Sequence, residues 1–95
     1  MNLDKAQKRL TKLHKRGDHG YPLIQIQYFG ANTSLATKVE ISFTPEQGAQ
    51  SFAESFTTTT DIRLDETIQT TLLKIIDRAE AKTVVLKEPV LVLAK

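Results

Sequence analysis

The feature that most constrains the fold is an amphipathic segment between Asp65 and Lys82. Its apolar side chains recur at i, i+4, i+7, i+8 and i+11, which is the spacing of one wide face of an α-helix. They are Ile68, Leu72, Ile75, Ile76 and Ala79. Asp65 is a favourable N-cap and Glu66 suits the first helical turn. Because so wide an apolar face must be covered, the sequence predicts a core helix over residues 65–82.

Two upstream segments have the period of a β-strand instead. Residues 37–44 alternate strictly between apolar and polar side chains, and residues 23–29 alternate between an apolar face and one that carries two glutamines. A loop rich in Gly, Asn, Thr and Ser separates the two segments at residues 30–35. The pattern therefore predicts an antiparallel hairpin.

Two further segments leave alternatives open. In residues 49–60 the apolar positions fit a helical face, but Phe52 and Phe56 alternating with serines also fit a strand. For this segment we favour a short helix followed by an extended threonine run. Residues 83–87 and 90–94 are rich in β-formers, and Glu88-Pro89 between them is either a hairpin turn or a kink in an edge strand.

The N-terminal segment predicts a second helix over residues 2–16. Its apolar stripe is narrow, with Leu3, Ala6, Leu10 and Leu13 at i, i+3, i+7 and i+10. Positive charge is concentrated here. Residues 1–16 hold six of the 13 bases and a single acid, whereas the other 79 residues hold seven bases and ten acids. The six bases are Lys5, Lys8, Arg9, Lys12, Lys15 and Arg16.

Together these elements predict one α+β domain with two layers, in which a small, mostly antiparallel sheet carries both helices on one face. The basic helix occupies residues 1–16 and the α+β core residues 21–95. The predicted core side chains are Leu10, Leu13, Ile24, Ile26, Tyr28, Val39, Ile41, Phe43, Phe52, Phe56, Ile62, Leu64, Ile68, Leu72, Ile75, Ile76, Val84 and Leu86.

Composition excludes several classes of site. The chain has no cysteine, which excludes disulfides, thiolate metal sites and cysteine nucleophiles. No apolar run reaches the ~20 residues of a membrane helix, and no apolar region of a signal peptide follows the basic N-terminus. We expect a cytoplasmic protein with no cofactor and no metal.

Candidate site residues fall into two groups besides the basic helix. His14 is expected at the surface, whereas His19 is either a proton-transfer group or a turn residue that caps a backbone carbonyl. Asp61, Arg63 and Asp65 form a polar cluster that either binds an anion or a cation, or ties down a helix entry in which Asp65 is the cap. In an extended segment these three would face one way, with Ile62 and Leu64 turned into the core.

Several short sequence motifs along the chain also carry a resemblance to a protein family. They are Gly20-Tyr21-Pro22, Ile26-Gln27-Tyr28-Phe29-Gly30, Ala36-Thr37-Lys38-Val39, Asp61-Ile62-Arg63 with Asp65 and Ile68-Gln69, and Lys82-Thr83-Val84-Val85. In this order and spacing, over about residues 5–87, the sequence resembles a family of small uncharacterised bacterial proteins with a YP…I.YYG…ATKV…DIR.D..I core. The family's Cys/His-rich C-terminal tail is missing here. The resemblance implies no activity, but it places Tyr21, Asp61, Arg63 and Asp65 in recurrent words.

Two functions follow from these features. The first is a non-enzymatic binding or adaptor module whose basic helix holds an acidic protein or nucleic acid. The alternative is a small-anion-binding or catalytic protein that uses Arg63 and Tyr21 for the ligand, with Asp61, Asp65 and His19 as catalytic candidates. The alternative requires these residues to converge in one concavity. The apolar run 90–93 is an edge that, unless covered, pairs with another chain, so we expect a homodimer through the C-terminal strand or a swapped terminal strand.

Overall fold

The computed structural model describes residues 2–32 and 35–92, with the backbone alone for residues 88 and 89. Its elements in chain order are helix α1 (Leu3–Lys15), strands β1 (Leu23–Gly30), β2 (Lys38–Thr44) and β3 (Phe52–Thr57), helix α2 (Glu66–Ala79) and strand β4 (Thr83–Val92). A 3-10 turn, Ile62–Leu64, precedes α2. The buried side chains of both helices and of one sheet face form a single cluster, which confirms the predicted α+β fold.

The sheet has the strand order β3-β2-β1-β4. β1 and β2 form the predicted antiparallel hairpin with Ile26 opposite Ile41, and β2 pairs antiparallel with β3. β4 lies parallel to β1 with Val84 beside Ile24. A parallel partner needs a crossover connection, and α2 lies in the segment that provides it.

The helix ends follow local capping chemistry. The Asn2 side chain accepts a hydrogen bond from the Lys5 amide at 2.9 Å, and Gly17 follows α1 with a φ of +78°. The Asp65 side chain accepts one from the Ile68 amide at 3.0 Å. α2 ends at Ala79, three residues before the predicted end, because Glu80 adopts a left-handed conformation with φ +53° and stops the helix.

Residues 52–57 form a strand, so the short helix favoured for this segment is wrong. Phe52 pairs with Phe43 and Phe56 with Val39 across the β2–β3 ladder. The apolar spacing of this segment fits both a helix and a strand. It forms a strand because the edge of β2 offers hydrogen-bond partners to its backbone.

Two predicted core residues are exposed instead. Phe52 is 62% exposed because β3 is the outermost strand, beyond the cover of the helices. Leu64 is 65% exposed because the 3-10 turn, with three residues per turn, points it away from the buried Ile62. Six buried side chains are absent from the predicted core, namely Ala6, which lies on the predicted apolar stripe of the first helix, Ala36, Leu73, Val90 and the polar Gln69 and Thr83. The remaining predicted core residues are buried or packed against the core.

β4 runs as one edge strand through Glu88-Pro89, so the kinked strand is correct and the hairpin turn is not. Its ladder with β1 changes register between Gln27 and Phe29. Residues 93 and 94 of the predicted last strand lie outside the described residues. Neither α1 nor α2 is long and apolar enough to cross a membrane, and the search covered the described residues only.

Candidate functional site

Four lysines run down the solvent face of α1. Lys5, Lys8, Lys12 and Lys15, which we call the lysine stripe, are all exposed. At about 100° per residue they lie within roughly 80° of one another around the helix, on the side opposite the buried Ala6 and Leu10. With a rise of about 1.5 Å per residue the stripe is about 15 Å long.

The six bases of α1 have different partners. Lys8 pairs with Asp4 at 3.1 Å, within α1 itself, and Arg9 pairs with Asp77 of α2 at 2.9 Å. Arg16 donates to the Lys82 carbonyl at 3.4 Å. The side chains of the other three, Lys5, Lys12 and Lys15, have no hydrogen bond or ion pair within residues 2–32 and 35–92. The arginines therefore anchor the helix to its neighbours, and three lysines remain for an external anion.

His14 has a role that the sequence analysis missed. It is exposed, as expected, but its Nδ1 accepts a hydrogen bond from the Leu86 backbone amide at 3.1 Å. This amide belongs to the outer edge of β4, so the imidazole caps an edge-strand donor and joins α1 to the sheet. The signal available in the sequence is the position of His14 one turn after Leu10, which places it beside the apolar stripe rather than among the lysines.

His19 lies in the turn that follows α1. Its Nε2 is 2.8 Å from the Arg16 carbonyl oxygen, so the ring caps a backbone group, as the structural alternative expected. The Thr83 hydroxyl fixes the same turn, because it accepts from the His19 amide at 2.8 Å and donates to the Gly20 carbonyl at 2.7 Å. Tyr21, 37% exposed, lies two residues before the start of β1.

Asp61 and Arg63 form a two-pronged ion pair. Oδ1 of Asp61 accepts from the Arg63 amide and Nε, each at 3.0 Å, and Oδ2 accepts from Nη2 at 2.7 Å. These hydrogen bonds hold the pKa of the Asp61 carboxyl below its usual 3.8 and raise the pKa of the guanidinium. Asp65 caps α2. The cluster is therefore an ion-paired helix entry.

The ion pair makes a specific prediction for acid stability. Because the folded-state pKa of Asp61 is lowered, its contribution is present above pH ~4 and is lost as the pH falls through the folded pKa. Asp61→Asn retains a capping oxygen but removes the charge, and we expect it to cost about 1 kcal/mol at neutral pH, since the pair is partly exposed. Urea unfolding of both proteins across the acid range should show this difference shrinking as the pH falls below ~4. A difference that is constant with pH would contradict the ion-pair account.

A cleft of about 320 Å³ lies between α1, β1 and the turn before α2, and its lining includes the polar residues Gln7, Tyr28 and Gln69. The buried Gln69 amide donates to the Tyr28 hydroxyl and to the Ile62 carbonyl, both at 3.2 Å. Gln7 of α1 donates to the Arg63 carbonyl at 2.6 Å. Burial raises the pKa of the Tyr28 hydroxyl above its usual value. These hydrogen bonds join Gln69 to Tyr28 and tie α1 to the turn before α2.

The candidate catalytic residues do not converge. His19 and Tyr21 lie before the first residue of β1, whereas the Asp61–Arg63 pair lies near its other end, where the Ile62 amide donates to the Ala36 carbonyl at 2.6 Å and Tyr28 approaches Gln69. The five-residue length of strand between Leu23 and Tyr28 corresponds to about 16 Å. One small ligand cannot contact both groups.

Comparison with known proteins adds no relative: no protein-family model, no curated protein and no solved structure matches the chain. The described part of the chain contains no group of three or more His, Asp or Glu side chains arranged to hold a metal ion. The geometry of the residues is therefore the basis for a functional assignment.

Proposed function

We propose that this protein is a non-enzymatic binding module whose lysine stripe holds an acidic partner. The observation that carries the proposal is the exposure of Lys5, Lys12 and Lys15 on one face of α1 without an ion pair among the described residues. Lysine side chains attract phosphates and carboxylates without a requirement for sequence, and the attraction weakens as salt is added.

The anchoring of α1 supports the same proposal. Arg9 binds α2, His14 binds β4 and Arg16 binds Lys82 just before β4, so the helix is held on the domain by groups outside the stripe. A partner can bind the lysines while the apolar face of α1 stays packed on the core. The backbone of α1 is thereby fixed before a partner arrives, so binding has to order the lysine side chains but not the helix.

The small-anion or catalytic alternative has less support. Arg63, its proposed anion-binding group, directs two guanidinium nitrogens at Asp61. An incoming anion would have to displace a carboxylate that is already in place. Asp65 is used as a helix cap, and His19 lies about a strand's length away from Arg63.

Salt-dependent binding tests the proposal. Fluorescence anisotropy would follow the wild-type protein with a single-stranded oligonucleotide, a duplex, heparin and a polyglutamate peptide at several salt concentrations. We expect binding that falls with salt, with a log–log slope of about −0.9 per duplex phosphate contacted. Lys12→Glu with Lys15→Glu should weaken binding at least about tenfold and reduce the slope by up to about 2.

A matched control separates the stripe from net charge. Lys38→Glu with Lys74→Glu makes the same change in net charge on β2 and α2, and it should leave affinity within about twofold of wild type. Equal losses in both double variants, or no binding of any polyanion at low salt, would contradict the proposal. Binding of nucleic acids but not polyglutamate, or the reverse, identifies the class of partner.

A further inference from the structure

The two edges of the sheet differ in how they are covered. At β4, His14 accepts from the Leu86 amide, and Arg16 donates to the carbonyl of Lys82 just before the strand, so the end of α1 closes the first part of that edge. β3 at the other edge pairs with β2 alone, and its outer edge receives no backbone hydrogen bond from any described residue. An uncovered strand edge is a template for pairing with another chain.

An apolar groove of about 510 Å³ lies between β3 and α2. Its floor and walls are the side chains of Ile41, Phe43, Phe52, Ile75 and Ala79. The groove is open because the helices do not extend over the inner face of β3, which leaves Phe52 62% exposed. A large aromatic side chain in this position is a common anchor of protein interfaces.

Two opposite charges stand on the rim of this groove. Glu54 is on the inner face of β3, opposite the buried Ile41, and Arg78 is on α2. Neither has an ion pair or hydrogen bond within the part of the chain that the structure describes. A two-fold axis that places the acid of one copy beside the base of the other makes such a surface complementary to itself.

We propose that a second copy of this chain binds at β3 and its groove. The two β3 strands pair antiparallel about a two-fold axis, the grooves meet in one apolar seam, and Glu54 of each copy reaches Arg78 of the other. Pairing satisfies the outward backbone groups of β3, and the seam covers Phe52. This dimer does not involve the lysine stripe. The helix α1 packs next to β4, at the opposite edge of the sheet from β3.

Glu54 distinguishes this dimer from a bare strand edge. A charge that points inward on an edge strand is one of the devices that prevent edge pairing. With Arg78 of the partner beside it, the same carboxylate instead selects a specific partner and excludes others, because like charges brought together weaken association. The proposal therefore depends on the sign of the rim charges, and exchanging those signs tests it.

Charge exchange in the full chain provides the test, with sedimentation equilibrium or light scattering over a wide concentration range. We expect the wild type to dimerise, and Glu54→Arg or Arg78→Glu alone to raise the dimer Kd at least about tenfold. The double variant Glu54→Arg with Arg78→Glu should restore the dimer. Both side chains are exposed or on the rim, and circular dichroism will show that each variant is folded.

Other results would overturn the proposal. A wild type that stays monomeric at the highest concentration would make Glu54 a guard against pairing. A dimer that survives both single reversals but is lost in Val92→Lys would place the interface at the C-terminal strand, where Leu91 and Val92 are 47% and 58% exposed. Failure of the double variant to restore the dimer would remove the Glu54–Arg78 contact from the interface.

Discussion

Gly30→Ala is expected to destabilise the domain by about 3 kcal/mol or more. Gly30 is buried at the end of β1, and a Cβ there would overlap the carbonyl oxygen of Leu35 and lie 2.8 Å from its carbonyl carbon and 3.0 Å from Ala36 Cα. All three atoms are backbone, so no side chain can turn aside and the β1–β2 connection itself must shift. Overpacking of this kind costs about 1–3 kcal/mol, and more where the neighbours cannot move. Urea unfolding measures the loss.

Gly48→Ala is the matched control. Gly48 has φ +80° and its added Cβ would meet no atom within 4 Å, so the cost is the conformational one of about 1 kcal/mol. A domain of this size has a total stability of about 5–10 kcal/mol, so Gly30→Ala removes a large part of it. If Gly30→Ala costs no more than Gly48→Ala, the close approach of the Leu35 backbone is wrong.

Leu72→Ala is expected to cost about 2–5 kcal/mol. Leu72 is completely buried on the core face of α2, and truncation removes packed atoms and leaves a cavity that the surrounding core fills only in part. For a domain of this length, each kcal/mol lowers the melting temperature by about 4–8 °C. Thermal unfolding will therefore show a shift well above experimental error.

Leu64→Ala makes the same chemical change at an exposed site. Leu64 is 65% exposed in the turn before α2, and we expect a change within about 0.5 kcal/mol. The two variants decide between the sequence-based core and the structural one, since the sequence analysis placed both leucines inside. A comparable loss in both would show that Leu64 is buried in solution.

Periodicity was sufficient to predict the elements that bury a continuous face. The apolar side chains of α2 repeat over several helical turns, and those of β2 alternate along the whole strand. Because the resulting apolar face has to be buried, each segment fits only one type of secondary structure. The segment around Phe52 and Phe56 satisfied two patterns at once, so only the presence of a free edge on β2 decided its structure. The prediction that Leu64 is buried is wrong for a different reason. A three-residue 3-10 turn is too short to leave a periodic signal in the sequence.

In the candidate site, the roles that residues have within their own segment could be predicted from the sequence. Asp65 as a cap, Arg63 as the partner of a neighbouring acid and the lysine face of α1 all follow from spacing along the chain. Contacts between distant segments were not predictable in this way. His14 meets Leu86 across 72 positions, and that contact depends on where the helix lies against the sheet.

The contact between His14 and Leu86 gives α1 a second role besides covering the core. While the imidazole is hydrogen-bonded to the edge amide, β4 cannot accept a further strand at that point. Ala6 and Leu10 bury the same helix in the core, so uncovering this edge would also expose apolar side chains to water. Protection against unwanted strand pairing at β4 is therefore tied to the stability of the core itself.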